Sequence, residues 1–245
     1  MTENAAEKVK PYNQEGSKKE QVAQMFDNIS GNYDLLNHLL SLNIDKAWRK
    51  KAVSLLKPYN PQRLLDVATG TGDFAVELMK LGPDEIKGID ISAGMLEVGR
   101  QKMVKRKLDN VIDLQLGDAE NLPFEDEAFD GITVAFGVRN FENLVAGLTD
   151  MKRVLRTGYP VAVLEFSKPR TFPMKQLYNF YFKYILPNIG KLISKDSRAY
   201  TYLPESVSAF PEGKDFVNIL NSVGYKNIRE YRLTFGIATI YLAEK

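Results

Sequence analysis

Apolar positions in the middle of this chain change spacing repeatedly. Between residues 63 and 166, short apolar runs alternate with longer segments whose apolar residues fall at helical intervals. The runs predict strands near 63–68, 86–90, 111–116, 129–135 and 160–166, and the intervening segments predict helices near 72–81, 94–107 and 142–156. This alternation is the pattern of an α/β protein with a doubly wound, mostly parallel sheet. Upstream, Ser17 and Glu20 have the spacing of a capping box, and Val22, Met25, Phe26 and Ile29 follow at helical spacing. Helical patterning continues over 33–42 and 46–56 until Pro58 and Pro61 stop it, so residues 17–58 read as a helical cap. The polar residues 1–16 read as a flexible N-terminus. Downstream, 171–193 is rich in aromatics, 194–210 is polar with prolines, and 214–223 reads as a last helix. Closing strands near 226–233 and 236–243 are separated by a short turn, which makes them hairpin-like and antiparallel. The expectation is one domain over 17–245, with an insertion at 171–210 before the last two strands.

The first strand breaks into a glycine turn in Leu64-Leu65-Asp66-Val67-Ala68-Thr69-Gly70-Thr71-Gly72-Asp73. Gly70 and Gly72 allow backbone conformations closed to other residues, and the helix that follows offers free N–H groups, so the turn suits a nucleotide cofactor. Asp66 lies at the end of the first strand, and Asp90 ends the second, where a carboxylate suits the two hydroxyls of a ribose. Gly70-x-Gly72-x-x-Ala75 also satisfies a relaxed dinucleotide fingerprint, and the glycines alone do not choose. Asp66 and Asp73 put negative charge where a pyrophosphate would lie; a sulfonium cofactor with an ammonium group and no phosphate meets no such conflict. A turn that merely links strand to helix is the bland alternative.

Composition narrows the chemistry further. With 245 residues, 33 basic against 31 acidic side chains and a net charge of +2, nothing marks a nucleic-acid binder. The absence of cysteine removes disulfides, zinc-thiolate sites and thiol nucleophiles, and no metal ligand set is read. A Ser-His-Asp triad would have to be built on His38, the single histidine, and no G-x-S-x-G elbow accompanies it. His38 lies four residues after Asp34, so a local helical pair is its plainer account. Without an apolar leader or a long uncharged span, the reading is a cytoplasmic protein.

Five blocks carry a sharper likeness: Tyr33-Asp34-Leu35-Leu36-Asn37 with Ser41 and Trp48; Asp66 to Asp73; Phe136-Gly137-Val138-Arg139-Asn140; Leu164-Glu165-Phe166-Ser167-Lys168-Pro169; and Tyr202-Leu203-Pro204-Glu205-Ser206. Together they resemble the ubiquinone/menaquinone biosynthesis C-methyltransferase family, within the class I S-adenosylmethionine-dependent methyltransferases. Three places depart from the family pattern: Leu36 where methionine is usual, Asp45 where histidine is usual, and Arg156-Thr157-Gly158-Tyr159-Pro160 where a Lys-Pro-Gly-Gly turn is usual.

The resemblance implies a seven-stranded sheet and S-adenosyl-L-methionine as cofactor, contacted by Thr69, Gly70, Gly72, Asp66 and Asp90, with Asp118 and Ala119 at the adenine. Asp118 could equally be a turn acid or helix cap in Gly117-Asp118-Ala119-Glu120. The implied acceptor is a polyprenylated quinol, demethylmenaquinol, or alternatively a 2-methoxy-6-polyprenyl-benzoquinol. Arg139 and Asn140 are the expected catalytic pair: a fixed cation stabilises a phenolate and an amide orients it. Guanidinium stays protonated, so the base is a water or another residue. Tyr33, Asp34, Asn37, Tyr181 and Tyr202 are expected at the substrate, although Tyr33 could equally be core. The aromatics of 171–193 are too many for one helix face. They fit a lid over an isoprenoid tail, peripheral contact with the inner face of a membrane, a helix packed on the cap, or a homo-oligomer contact. A noncatalytic cofactor-binding subunit and a dinucleotide oxidoreductase are the competing classes.

Overall fold

The computed structural model describes residues 5–12, 15–33, 41, 43–185 and 198–245. Its centre is one seven-stranded sheet formed by β1 (Arg63–Val67), β2 (Glu85–Asp90), β3 (Ile112–Leu116), β4 (Gly131–Ala135), β5 (Pro160–Phe166), β6 (Lys226–Leu233) and β7 (Ala238–Glu244). The spatial order is β3-β2-β1-β4-β5-β7-β6. β1 pairs in parallel with β2 and β4, while β7 runs antiparallel to both β5 and β6. The expected closing hairpin is therefore present, but β7 is inserted between β5 and β6. Thr234, Phe235 and Gly236 all take positive φ, so β7 begins at Ala238.

Strand burial follows from position. Val161, Ala162, Val163 and Leu164 of β5 are wholly buried, whereas β6, at the edge, carries Arg229, Glu230 and Arg232 and is mostly exposed. Charges on an edge strand discourage pairing with a second chain.

Eight helices surround the sheet among the described residues: α1 (Lys18–Ile29), α2 (Ile44–Leu56), α3 (Asp73–Leu78), α4 (Ala93–Arg106), α5 (Leu144–Val154), α6 (Met174–Phe180), α7 (Arg198–Ala209) and α8 (Lys214–Val223); a helical turn, Ala5–Lys8, precedes them. α1 starts at the expected capping box, with both reciprocal bonds between Ser17 and Glu20 formed. α3 is shorter than its apolar pattern suggests, because the chain tightens into a 3-10 turn over Met79–Leu81 and turns left-handed at Gly82. The Asn143 side chain accepts from the Ala146 N–H at 2.9 Å and so sets the start of α5.

α7 was not anticipated in a polar segment containing Pro204. Ala199, Tyr202 and Val207 are buried, and this packing outweighs the proline. Trp48, Leu56, Phe74 and Leu96 pack on one sheet face; Leu148, Met151, Phe216 and Leu220 pack on the other. α1 and α7 join in a third apolar cluster through Val22, Met25, Ala199 and Tyr202. The carboxyl ends of β1 and β4 lie side by side beneath that cluster, at the point where strand order reverses, and such a point opens a crevice.

Candidate active site

The loop after β1 is held by its own acid. Asp66 accepts from the Thr69 hydroxyl at 2.6 Å and from the Thr133 hydroxyl on β4 at 2.6 Å. Burial pushes the Asp66 pKa up to about 6, against the pull of those two hydroxyls. Ala68 takes φ 52, and Gly70 and Gly72 take φ +57 and +80, the left-handed turn expected of the glycines. A Cβ on Gly72 would lie 2.7 Å from Met103 Cε, so this glycine lets α4 approach. Space opens only at Gly70, where the nearest atom to an added Cβ is Tyr33 Cε1 at 3.9 Å.

Asp90, at the tip of β2, accepts from the Gly70 N–H at 2.8 Å and the Ser92 N–H at 2.9 Å. Its pKa is likewise pushed up to about 6 by burial, with the backbone bonds opposing. Gly70, Asp90, Asp118 and Ala119 border one small cavity of about 60 Å³ with Ile89 and Met95. Asp66, Thr69 and Gly72, expected at the cofactor, do not border it; they brace the loop from behind. Asp118 accepts from the Glu120 N–H at 2.9 Å, the turn-acid arrangement, and also pairs with Lys19 of α1.

α1 is the roof of this cavity. Besides Lys19, it supplies Asp27, whose carboxylate accepts from the Ser92 hydroxyl at 2.6 Å and the Gly94 N–H at 2.8 Å. The free space here is below the roughly 300–1,000 Å³ of a ligand site. The acceptor groups still have a definite preference. Carboxylates at two strand tips and an apolar slot fit a nucleoside with hydroxyls and an exocyclic amine; they offer a pyrophosphate repulsion.

A second cavity, of about 580 Å³, adjoins the first, and Phe26, Tyr33 and Phe136 border both. Between them lies the 3-10 turn Val138–Asn140, with Asn140 on the small cavity and Arg139 on the large one. The chain enters this turn through Phe136 at φ 57, and a Cβ on Gly137 would lie 2.6 Å from the Ala68 Cβ, so the loops after β1 and β4 are in close contact. Arg139 is only 6 % exposed. Its Nη1 donates to Glu165 Oε1 at 2.9 Å and to the Phe136 carbonyl, and its guanidinium lies 5.5 Å from the Phe166 ring centroid.

Glu165, on β5, is completely buried and also accepts from the Phe166 N–H at 2.8 Å. Burial raises its pKa and the guanidinium opposes the rise. Asn140 accepts from the Tyr202 hydroxyl at 3.0 Å, so Tyr202 orients the amide while its ring borders the large cavity. Tyr33 and Tyr181 border that cavity too. Asp45 does as well, accepting from Ser41 Oγ and Arg49 Nη2, each at 2.6 Å. Asp34, Asn37 and His38 lie outside the described residues.

Sequence reasoning missed two side chains here. Glu165 interrupts an otherwise apolar strand, and a lone acid in such a run is the signal that could have found it. Lys18 gives no such signal, because it sits in the polar run Ser17-Lys18-Lys19-Glu20. Yet it is buried, and its Nζ donates to the carbonyls of Ala6 at 2.7 Å, Arg139 at 2.9 Å and Phe141 at 3.0 Å. Burial lowers its pKa to about 8, with Glu7 pulling the other way. Lys18 thus ties the turn bearing Arg139 to α1 and to the N-terminal stretch read as flexible, where Ala6 is itself buried.

Comparison with known proteins agrees with this geometry. The model of the ubiE/COQ5 methyltransferase family matches residues 14–245. A demethylmenaquinone methyltransferase of Bacteroides fragilis is 52% identical over 240 residues, covering 98% of each chain. One from Porphyromonas gingivalis is 45% identical over 98% of each. A ubiquinone/menaquinone biosynthesis C-methyltransferase UbiE of Geotalea daltonii is 46% identical over 93% of this chain and 97% of its own. Among solved structures, a SAM-dependent methyltransferase from Thermotoga maritima superposes with a TM-score of 0.61 at 18% identity, covering 91% of this chain and 99% of that one. At that identity the likeness shows the fold alone, which is Rossmann-like. The family match spans the loop after β1, the Arg139–Asn140 turn and the aromatic cover together, and the chain belongs to the ubiE/COQ5 methyltransferase family.

Proposed function

We propose that this chain transfers a methyl group from S-adenosyl-L-methionine to a ring carbon of demethylmenaquinol, giving menaquinol. The observation that carries the reading is the Val138–Asn140 turn, which stands between a small acidic cavity and a large aromatic one and presents a residue to each. Gly70, Asp90, Asp118 and Ala119 would hold the nucleoside end of the cofactor. When bound, that cofactor supplies an electrophilic methyl group on a sulfonium.

The remaining work belongs to the chain's own side chains. Arg139, fixed by Glu165, stabilises the oxyanion left when a hydroxyl of the acceptor ring gives its proton to water; that ionisation raises electron density at the ring carbon, whose own proton leaves to water after the new carbon–carbon bond forms. Asn140, its amide oriented by Tyr202, faces the small cavity and lines the passage through which the methyl group must reach the ring. Phe26, Tyr33 and Phe136 exclude water where the two cavities meet. Alignment of this kind contributes up to roughly 7–11 kcal/mol relative to the bimolecular reaction.

The large cavity suits an isoprenoid tail, being lined by Leu177, Tyr181, Phe182 and Leu203 among others. Phe172, Leu177, Phe180 and Tyr184 are exposed, and this face supports peripheral contact with the inner face of a membrane, where a polyprenylated quinol resides. No helix of the described residues is long and apolar enough to cross one. The test is to incubate the purified chain with methyl-labelled cofactor and demethylmenaquinol in detergent. Labelled menaquinol is expected; in a parallel incubation with 2-methoxy-6-polyprenyl-benzoquinol, label on that acceptor alone would reassign the substrate, and label on neither would overturn methyl transfer.

A further inference from the structure

The buried tyrosines are not alike. Tyr202 donates to Asn140 Oδ1 at 3.0 Å, Tyr225 donates to the Leu148 carbonyl at 3.1 Å, and the Tyr241 hydroxyl accepts from the Gly213 N–H at 2.7 Å. Tyr178, on α6, is 9 % exposed, and its hydroxyl has no hydrogen-bond partner among the described residues. Enclosing a hydroxyl without a partner is unfavourable, and a phenylalanine would fill the same space without that cost. The ring itself is well placed, stacked on Phe182 at 4.2 Å between centroids. So packing accounts for the ring and leaves the oxygen unexplained.

Arg139 supplies a matching observation. Its Nε is the other buried side-chain donor without a partner among the described residues, and Arg139 and Tyr178 border the same 580 Å³ cavity. The charges that act on the Tyr178 phenol are those of Glu212, Arg139 and Glu165, in that order. Burial pushes the phenol's pKa upward, so it stays protonated and acts as a donor.

Building on the reading of the large cavity as the acceptor site, we propose that Tyr178 and Arg139 are two donors for a ring oxygen of the quinol, Tyr178 giving the neutral hydrogen bond and Arg139 the charged one. Together they select an acceptor that carries an oxygen on an otherwise apolar ring. The two donors come from segments far apart in the chain, the turn after β4 and α6, so the acceptor joins the cover to the sheet edge.

Tyr178→Phe tests this on the full-length chain, with demethylmenaquinol in mixed micelles and S-adenosylmethionine as substrates. The expected result is a drop in kcat/KM for the quinol of about ten- to a hundredfold, with unchanged affinity for S-adenosylhomocysteine by calorimetry. The melting temperature should stay the same or rise, since the variant loses an unpaired buried hydroxyl. A role in folding alone would give the reverse, a lowered melting temperature with wild-type kcat/KM, and would overturn the assignment; so would kinetics and stability both equal to wild type. A wild-type chain that does not methylate the quinol would instead overturn the reading of the cavity on which this rests.

Discussion

The two cavities that meet at Phe26, Tyr33 and Phe136 are built by opposite means. Around the smaller one, short loops at strand tips do much of the holding: the Asp90 carboxylate, at the end of β2, is gripped by the N–H groups of Gly70 and Ser92 in the loops that follow β1 and β2. Around the larger one, side chains from α1, α2, α6, α7 and the turn after β4 converge, and two buried donors have no partner among the described residues. A region built on strand ends, with α1 closing it, suits a ligand common to many enzymes. A region assembled from distant helices varies more freely and suits the ligand that distinguishes this one.

The contrast breaks most visibly at Glu165. Replacing it by Ala leaves the Arg139 guanidinium buried without its anion, which is expected to cost about 3–5 kcal/mol of stability. Because the loss is confined to the acceptor side, folded Glu165→Ala should bind S-adenosylhomocysteine with near wild-type affinity while losing turnover, as calorimetry and a methyl-transfer assay would show together. Weakened cofactor binding would mean that the two regions are not separable.

On the other side, Asp90→Ala removes an acceptor of charge-assisted bonds and should weaken S-adenosylhomocysteine binding by roughly 1.5–3 kcal/mol, with the quinol KM unchanged. The smallest expected effect is that of pH. Asp90 and Asp66 are raised to about 6 in the folded chain, above their ordinary value of 3.8. A raised acid favours the folded state at low pH, so these two contribute stability below about pH 4 and lose it as pH climbs through 6. Cofactor affinity runs the other way, because the ionised Asp90 is the better acceptor: binding should strengthen between pH 5 and about 7 in wild type. Asp90→Asn should flatten that rise, and an unchanged slope in the variant would assign it to another group.

What could be read from the sequence was local. The glycine turn after β1, Asp90 at the second strand tip and the Arg139–Asn140 turn all rest on spacing within one strand-turn-helix unit, where turn chemistry and periodicity speak directly. Five parallel strands and an antiparallel end followed from the same patterns, while the insertion of β7 between β5 and β6 depends on contacts that no local pattern encodes. Lys18 illustrates the limit: its bond to the Arg139 carbonyl spans 121 residues, and a lysine in a polar run looks like solvated surface. Asp66 shows a related limit, since an acid beside a ligand loop and an acid bracing that loop, as Asp66 does through Thr69 and Thr133, leave the same trace in sequence.

The division of labour is tested most directly by Arg139→Lys, measured for both ligands in one preparation. Lysine keeps the charge and loses the planar fork that lets guanidinium hold Glu165 while offering another donor to the acceptor. The account predicts a kcat lowered by an order of magnitude or more, on the order of the about 1.4 kcal/mol per tenfold step, with S-adenosylhomocysteine affinity within error of wild type. Wild-type turnover in Arg139→Lys, or a loss of cofactor affinity as large as the loss of turnover, would contradict it.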